Sequence, residues 1–479
     1  MSWLFEKTKK THKNAFDSAP EKWEWIVYCA ITAVFFFLYF YGDSATVTTN
    51  GINLADAIAR GDYLKFYEEN TGAFVSMWAG PGVAPNYYIT QYLLFAVWCI
   101  PLAIIERVFG IFAIYSVPCV LWAKAVTLPF IIWAVLSLGK ICGTLGLKKN
   151  AQRWCQFIFL SSTVFVASAV IIGQSDIIAI AFMLEGLNAY LKKDHKKFVM
   201  WFAFAVCFKM FALMLFVPLL LLKEKNIPKI IVNGALTLVP LMLFQLPFSL
   251  MGGSVMANVS ETRDDHLFKI FHNVFPLSSG AVAVFVVAVI VFWVLVYIMP
   301  TPDGEEFSTW SLYLSLAAFA LFFLTSDTNP YWNLMLMPFL AMVTVHSDRQ
   351  IKINMLLETV MSAAWVGAQA LQYEWCYSNT SLVYSLMRPI FGEPATMDIG
   401  PLSFLKNFLL PYKLDGLLLL LNSVWFAALL LILCLNFPKV KLASRLEENE
   451  VLPRGLVWTR ISISWVFCLI PIGIYIWSL

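Results

Sequence analysis

Long apolar runs separated by short basic clusters are the feature that most constrains this chain. Of its 479 residues, 60% are hydrophobic and 13% are charged, whereas soluble globular proteins are about 25% charged. Many runs approach the roughly 20 residues that an α-helix needs to cross a bilayer. The pattern predicts an integral, multi-pass membrane protein of the all-α class, with about 13–15 transmembrane helices. The predicted spans include 88–106, 108–122 and 124–141.

The basic residues predict the orientation of these spans. The first apolar run, at about 24–42, follows five lysines: Lys7, Lys9, Lys10, Lys13 and Lys22. Because cytoplasmic segments carry an excess of Lys and Arg, the N-terminal segment 1–23 is predicted to be cytoplasmic. Most later basic clusters fall on the same side. The segments 43–87, 250–277 and 372–412 are then predicted to lie outside the cytoplasm.

Composition and motifs exclude several functions. A net charge of +3 is too small to predict a nucleic-acid partner. Most of the nine cysteines lie inside apolar runs, where they act as small hydrophobic residues instead of disulfide partners or metal ligands. Neither a phosphate-binding Gly-rich loop nor a dinucleotide fingerprint occurs, so no nucleotide cofactor is predicted.

Asp43 is a lone carboxylate where the first predicted span leaves the bilayer. At the outer surface it could act as a general base that takes a proton from an acceptor hydroxyl, an effect worth roughly 10²–10⁴ in rate. A structural alternative stays open. Asp43 could cap an interfacial helix that starts near Thr49 or Asn53.

Two further charges lie at or within apolar runs. Asp176 ends the polar corner Gly-Gln-Ser-Asp at 173–176, in which Gln174 is a candidate substrate ligand. An ordinary helix N-cap is the alternative for this corner. Lys209 lies inside a long apolar stretch, where a lysine costs roughly 2.5–3.5 kcal/mol on insertion scales. It could hold a phosphate, or it could extend to the membrane surface from the tip of a hairpin.

The segment 250–277 contains two candidate substrate ligands, Arg263 and His266. Arg263 could clamp a phosphate through two parallel hydrogen bonds, although a solvated loop also explains it. Asp264 and Asp265 beside His266 leave a divalent metal open. Adjacent acids without further ligands do not define a metal site, so no cofactor is predicted.

The polar stretch 325–332 separates two predicted spans and provides the remaining candidate ligands: Asp327, Asn329, Tyr331 and Trp332. Its Asp-Thr-Asn-Pro sequence is strong turn chemistry, which is the structural alternative. The two aromatic rings could stack on a sugar or belong to the interfacial aromatic belt.

The order of these pieces resembles the GT-C superfamily of integral-membrane glycosyltransferases. An acid follows the first span in Tyr41-Gly42-Asp43. The corner 173–176 is similar to the Gly-Gln-x-Asp motif of GPI-mannosyltransferase-like and bacterial members. Downstream, Phe208-Lys209 and Val217-Pro218-Leu219-Leu220 are similar to the Lys-Pro and Pro-Leu-Leu motifs, with Met210 in place of the first proline. The resemblance covers about residues 20–350.

This resemblance implies a GT-C fold with a conserved module at 24–222, external juxtamembrane helices, and a variable helical part at 223–479. It implies inverting transfer of a sugar from a polyprenyl-phosphate donor to a hydroxyl of a glycan, lipid or polymer acceptor. Asp43 would be the base and Asp176 would support it or the acceptor. Lys209, together with Arg263, would hold the donor phosphate.

Two other functions stay open. A transporter or flippase of lipid-linked sugars would carry charges near the midplane and show repeated halves. A glycan polymerase or ligase of related fold would have a larger external loop with several arginines, whereas 250–277 contains one. The glycosyltransferase hypothesis requires Asp43, Asp176 and Lys209 to converge at the outer mouth of a lipid-accessible cavity.

Overall fold

The computed structural model describes most of the chain. The described residues are 16–39, 42–69, 85–110, 117–250, 269–278, 280–346, 350–372, 415–438 and 452–477. They are almost entirely helical, with one antiparallel pair of short strands. The predicted class, an all-α polytopic membrane protein, is therefore confirmed.

The helices of the first half end at a polar corner. They are α1 (Lys22–Leu38), α2 (Gly42–Arg60), α3 (Phe66–Glu69), α4 (Ile89–Trp98), α5 (Ile100–Phe109), α6 (Val117–Lys124), α7 (Thr127–Thr144), α8 (Lys149–Leu160) and α9 (Thr163–Phe165), which continues as a π-helix (Val166–Ile172). A short 3₁₀ helix, Tyr63–Lys65, precedes α3.

The second half begins at that corner. Its helices are α10 (Asp176–Leu191), α11 (His195–Phe208), α12 (Leu213–Lys223), α13 (Ile227–Leu250), α14 (Val284–Ile298), α15 (Gly304–Thr325), α16 (Met337–His346), α17 (Ile351–Gln372), α18 (Asp415–Leu435) and α19 (Arg454–Trp477). The 3₁₀ helices are Met210–Ala212, Lys269–Phe271 and Pro330–Met335. Strand β1 (Val274–Leu277) pairs with β2 (Gly280–Ala283), with Val274 opposite Ala283.

Helix α10 forms the centre of the bundle. All of its residues except Phe182 are buried, as expected for a helix that is apolar on every side. It packs between α7 and α11. The central position of α10 matters because its first residue, Asp176, is one of the predicted site residues.

Four helical units in the described part are long and apolar enough to cross a membrane: Val117–Thr144, Ile227–Leu250, Gly304–Thr325 and Gly416–Leu435. The first of these joins α6 and α7, so the boundary predicted near residue 123 falls inside one unit. Two further pairs of helices would pass the same test if each were a single broken span.

Both pairs break for a local reason. Helices α4 and α5 meet at 62°, where Pro101 occupies the first turn of α5, a position that proline favours. Helices α8 and α9 meet at 52°, where the Ser162 side chain accepts a hydrogen bond from the Phe165 N–H at 3.1 Å and starts a new helix. The predicted span 88–106 is thus two helices instead of one.

The helical bundle has two faces that can be told apart by their contacts. We call the face with residues 173–176 the corner face. At the opposite face, Arg454 Nη1 lies 2.7 Å from Glu21 Oε1, and the rings of Trp23 and Trp458 stack at 5.4 Å. These contacts join the N-terminal ends of α1 and α19. The hydrogen bond from Arg454 also lowers the pKa of the Glu21 carboxyl.

Helices α2, α4, α5 and α6 form a cluster that we call the helical platform. Helix α2 packs against both α4 and α5: Gly51 contacts Phe95, and Asp56 Oδ1 lies 3.8 Å from Arg107 Nη1. Trp98 and Trp122 stack at 5.1 Å, and each indole N–H donates to the other residue's carbonyl. The platform is therefore tied together by specific side-chain contacts.

A buried ion pair links the C-terminal helices to the bend between α8 and α9. Arg460 donates to Glu358, and both side chains are at most 2% exposed. The same guanidinium donates to Ile158 O at 2.9 Å and to Ser161 Oγ at 2.6 Å. Arg460 thus satisfies a carbonyl in the last turn of α8, where carbonyls have no partner within their own helix.

We expect Glu358→Leu to lower the free energy of unfolding by about 3–5 kcal/mol, because Arg460 would remain buried without its carboxylate. The double variant Glu358→Leu/Arg460→Met removes both charges and should recover much of this loss. Chemical denaturation in detergent micelles measures both values. Glu21→Leu, which breaks an exposed ion pair, is the control and should have a much smaller effect. Equal losses in the buried and exposed pairs would contradict this account.

Candidate functional site at the corner face

Gly173 allows the chain to turn sharply between the π-helix and α10. It has φ +70° and ψ +38°, a left-handed conformation that costs a non-glycine residue roughly 1–2 kcal/mol. A Cβ atom on Gly173 would lie 2.9 Å from Lys124 Cγ. The position therefore excludes other side chains by conformation and by space. The following residues, Gln174 and Asp176, are 2% and 3% exposed.

Lys209 lies at a break between two helices instead of within one. Helix α11 ends at Phe208, and Lys209 takes an extended conformation (φ −151°, ψ +113°) before the 3₁₀ helix Met210–Ala212. The chain breaks here although Met210 stands where the resembling motif has proline. The extended conformation turns the lysine out of the helical path and into the corner.

The structure brings Lys209 and Asp176 together. Lys209 Nζ lies 2.8 Å from Asp176 Oδ1, and the two side chains are 11% and 2% exposed. The hairpin-tip alternative, in which Lys209 reaches towards solvent, does not describe this geometry. Ser175 takes the N-cap position of α10, as the N-cap alternative predicts, but its side chain makes no capping hydrogen bond. Asp176 is the first residue of the helix, and its carboxylate binds the ammonium.

One oxygen of this carboxylate is available to another donor. Asp176 Oδ2 is buried and has no hydrogen-bond partner among the described residues. A buried polar atom without a partner costs about 1–3 kcal/mol, and such atoms call for an explanation by a ligand or water. A hydroxyl group of a bound sugar would satisfy this oxygen.

Three aromatic rings surround the Lys209 ammonium. Their centroids lie 4.8 Å (Trp332), 5.7 Å (Phe211) and 5.9 Å (Tyr87) from Nζ. Distances below about 6 Å allow cation–π attraction. The rings of Trp332 and Phe211 also contact each other at 5.0 Å. The ammonium thus lies in an aromatic enclosure that keeps bulk water away and strengthens its field.

The turn at 325–332 contributes one of its candidates directly to this enclosure. Asn329 precedes the 3₁₀ helix Pro330–Met335 as its N-cap, and Trp332 of this helix faces Lys209. Tyr331 is buried, and its hydroxyl accepts a hydrogen bond from Asn329 Nδ2 at 2.9 Å, so these two residues support the turn. Asp327 is exposed and forms no ion pair within the described residues.

Asp43 lies in the first turn of α2, which begins at Gly42. The alternative of a helix that starts near Thr49 or Asn53 is therefore wrong. The Asp43 side chain lies outside the described atoms, but its neighbour Ser44 donates to Ile172 O at 2.8 Å and Gly173 O at 3.1 Å. The backbone at Asp43 thus reaches the corner face.

Arg263 and His266 lie outside the described residues, so their predicted roles stay predictions. Among the residues that the structure describes, no three His, Cys, Asp or Glu side chains form a group that could hold a metal ion.

Sequence reasoning missed Lys124. This lysine is 1% exposed, and its ammonium donates to Phe36 O at 2.8 Å and to Tyr39 O at 2.6 Å. It ties the end of α1 to the corner through its contact with Gly173. The signal was present in the sequence, because Lys124 interrupts an apolar stretch in the same way as Lys209.

The fold and the corner define an all-α polytopic membrane protein with a buried acid–lysine pair at one face. The chain belongs to the EpsG family, whose model matches residues 112–375. This is a glycosyltransferase-like and polymerase family of membrane proteins. The match includes Gly173, Asp176, Lys209 and Trp332, whereas Asp43 precedes it. No curated protein and no solved structure matches the chain.

We expect Gly173→Ala to destabilise the protein more than Gly146→Ala. Both glycines have positive φ, at +70° and +75°, but a Cβ on Gly146 would meet nothing within 4 Å. The difference in thermal unfolding midpoint therefore isolates the crowding by Lys124 from the backbone cost that both positions share. Equal midpoints would show that the corner can relax around an added methyl group.

Proposed function

We propose that this protein transfers a sugar from a polyprenyl-phosphate-linked donor to an acceptor hydroxyl on the extracytoplasmic side of the membrane. The observation that carries the proposal is the buried Lys209–Asp176 pair, which leaves Asp176 Oδ2 without a partner among the described residues. The glycosyltransferase-like character of the family supports the same class of reaction.

The proposed step is a single displacement that inverts the anomeric centre. The acceptor oxygen attacks the anomeric carbon while the Asp43 carboxylate takes the hydroxyl proton. The bond between the anomeric carbon and the phosphate oxygen breaks, and polyprenyl phosphate leaves with both bonding electrons. A fixed cation near the departing oxygen stabilises the charge that develops there.

Lys209 is the cation that we assign to this task. Its aromatic surroundings lower the local dielectric, so its attraction for a phosphate is stronger than in water. Asp176 holds the ammonium in place through Oδ1, and Oδ2 remains to accept a hydrogen bond from the donor sugar. Arg263 would add a second contact to the phosphate. We assign no metal or organic cofactor to this step.

The membrane would determine the side from which each substrate reaches the site. The polyprenyl tail would lie among the lipid-exposed helices, while the sugar and the acceptor approach the corner face from water. The basic clusters and the cytoplasmic N-terminus predicted from sequence would put the corner face outside the cytoplasm. The acceptor would be a glycan, a lipid or a polymer that is reached from that side.

A glycan polymerase is the second candidate, and the family match is compatible with it. It would use the same lipid-phosphate chemistry, but its acceptor would be a second lipid-linked or growing glycan. The two functions differ in their products, because a polymerase gives a ladder of chain lengths and a single-transfer enzyme gives one product. A transporter is less favoured, because the buried pair lies at one face of the bundle and not at its midplane.

We expect Asp43→Asn to abolish sugar transfer while donor binding persists, because the amide cannot take the acceptor proton. Purified protein is incubated with a panel of short-chain polyprenyl-phosphate hexoses, and released polyprenyl phosphate is measured by mass spectrometry. We expect a loss of at least about 10²-fold in kcat with little change in donor KM. Unchanged turnover would remove Asp43 from the reaction.

Lys209→Met should weaken donor binding more than acceptor binding and lower kcat/KM for the donor by roughly 10²–10³-fold, as expected when one charge-stabilising donor is removed. Lys209→Arg keeps the charge and should retain part of the activity. Lys140→Met is the matched control, because Lys140 Nζ also pairs with a carboxylate, Glu185 Oε1, at 2.6 Å. A larger effect on the acceptor than on the donor would contradict the phosphate role.

A further inference from the structure

Lys124 is a buried cation whose described polar partners are all neutral. Its side chain is 1% exposed, and Nζ donates to Phe36 O and Tyr39 O. The ammonium also lies 4.3 Å from the centroid of the Phe36 ring. No carboxylate among the described side chains lies within ion-pair distance of it. Lys209 and Arg460, by contrast, each bind a buried carboxylate.

The two carbonyl partners explain only part of this burial. They belong to the end of α1, where the partial negative charge of the helix dipole attracts a cation. That attraction is typically worth about 0.3–1 kcal/mol and reaches about 2 kcal/mol in favourable sites. The desolvation of an ammonium costs several kcal/mol. Ionisable residues inside membrane proteins usually have a functional partner for this reason.

Position in the fold identifies the partner. Lys124 and the first turn of α2 both lie close to Gly173, because a Cβ on this glycine would be 2.9 Å from Lys124 Cγ and 3.2 Å from Ser44 Oγ. Ser44 is the neighbour of Asp43 in that turn. Tyr39, which accepts the shorter of the two hydrogen bonds from Lys124, is only four residues before Asp43.

We propose that Lys124 is a positioning residue for Asp43: it fixes the end of α1 and the corner against the first turn of α2, and its charge keeps the Asp43 carboxylate ionised. The base role of Asp43 rests on the proposed function. The electrostatic link between the two positions does not depend on it and can be measured separately.

Burial and a nearby cation act on a carboxylate in opposite directions. Removal from water disfavours the charged form, whereas a fixed ammonium nearby favours it. Other charged or titratable groups of the packed elements are the Asp176–Lys209 pair, the Cys468 thiol of α19 and the Tyr39 hydroxyl, which donates to Cys468 O. The charges of Asp176 and Lys209 neutralise each other as a pair, so Lys124 is the net positive charge among these groups.

A cysteine at position 43 allows the effect of the Lys124 charge to be measured without any enzymatic reaction. In Asp43→Cys, the thiolate is the reactive form, and a nearby cation lowers the thiol pKa below its free value of about 8.5. The rate of alkylation by a membrane-impermeant maleimide is measured against pH in the purified full-length protein. Labelling of the native cysteines, measured without the substitution at position 43, is subtracted.

The expected result is a rise of about one pH unit in the thiol pKa when Lys124→Gln is added, which corresponds to roughly tenfold slower labelling at about pH 7. Glutamine keeps an N–H donor for Tyr39 O, so this variant removes the charge and retains a hydrogen-bond donor to the end of α1. Lys124→Arg keeps the charge and should leave the thiol pKa near that of Asp43→Cys alone. Lys140→Met, the control for a distant lysine, should leave it unchanged.

Two results would overturn the proposal. One is an equal thiol pKa with lysine, glutamine and arginine at position 124 in proteins that elute as folded monodisperse species. The other is an introduced thiol at position 43 that does not react at any pH, which would also exclude Asp43 as a base that an acceptor can reach.

A second measurement covers the case in which Lys124→Gln does not fold. The proposal requires the cation at position 124 to outweigh the effect of burial on the thiol. The thiol pKa of Asp43→Cys must then lie below about 8.5, both with the native Lys124 and with the Lys124→Arg substitution. A thiol pKa above the free value in these two proteins overturns the proposal.

The enzymatic consequence is separate. With Asp43 as the base, Lys124→Gln should move the acid limb of the pH–rate profile for transfer to higher pH, with donor KM little changed. A shift in the thiol pKa without any sugar transfer by the wild type would preserve the electrostatic link and reject the proposed function. An unchanged acid limb in an active Lys124→Gln enzyme would reject the role of Lys124 in the reaction.

Discussion

The ion pair between Lys209 and Asp176 is the interaction on which the corner depends. Neither charge could be buried alone in a lipid-surrounded bundle, because an unpaired buried charge costs several kcal/mol. Their contact at 2.8 Å requires α11 to end at Phe208 and α10 to begin at Asp176 on the same face. The position of these two helix ends then determines where the aromatic rings can approach.

The surrounding structure supports that pair. Gly173 gives the corner a left-handed conformation that is costly for most other residues, and Lys124 and Ser44 fill the space beside it. Lys124 also connects the end of α1 to the corner. Packing, backbone conformation and charge therefore converge on one small region. Such convergence of buried ionisable groups is typical of functional sites in membrane proteins.

The region that matches the EpsG family contains only some of the proposed site residues. The family match covers Asp176, Lys209 and Trp332, which form the described pair and its enclosure. Asp43 lies before the matched region and is connected to it through Ser44 and Gly173. The proposed base thus belongs to the helical platform, while the proposed phosphate site lies where α11 ends and α10 begins.

The sequence alone determined the all-α membrane class, because long apolar runs in lipid leave few other choices. It also singled out Asp176 and Lys209, since a charge in an apolar run is costly wherever the chain folds. It did not predict the break at Pro101 within 88–106, nor the role of Lys124, nor that Trp332 faces Lys209 while its neighbour supports the turn. The break at Pro101 has a local cause, whereas the role of Lys124 and the position of Trp332 depend on contacts between helices that are distant in the chain. Only the tertiary structure decides which buried charge finds which partner, because pairing is set by packing and not by local sequence.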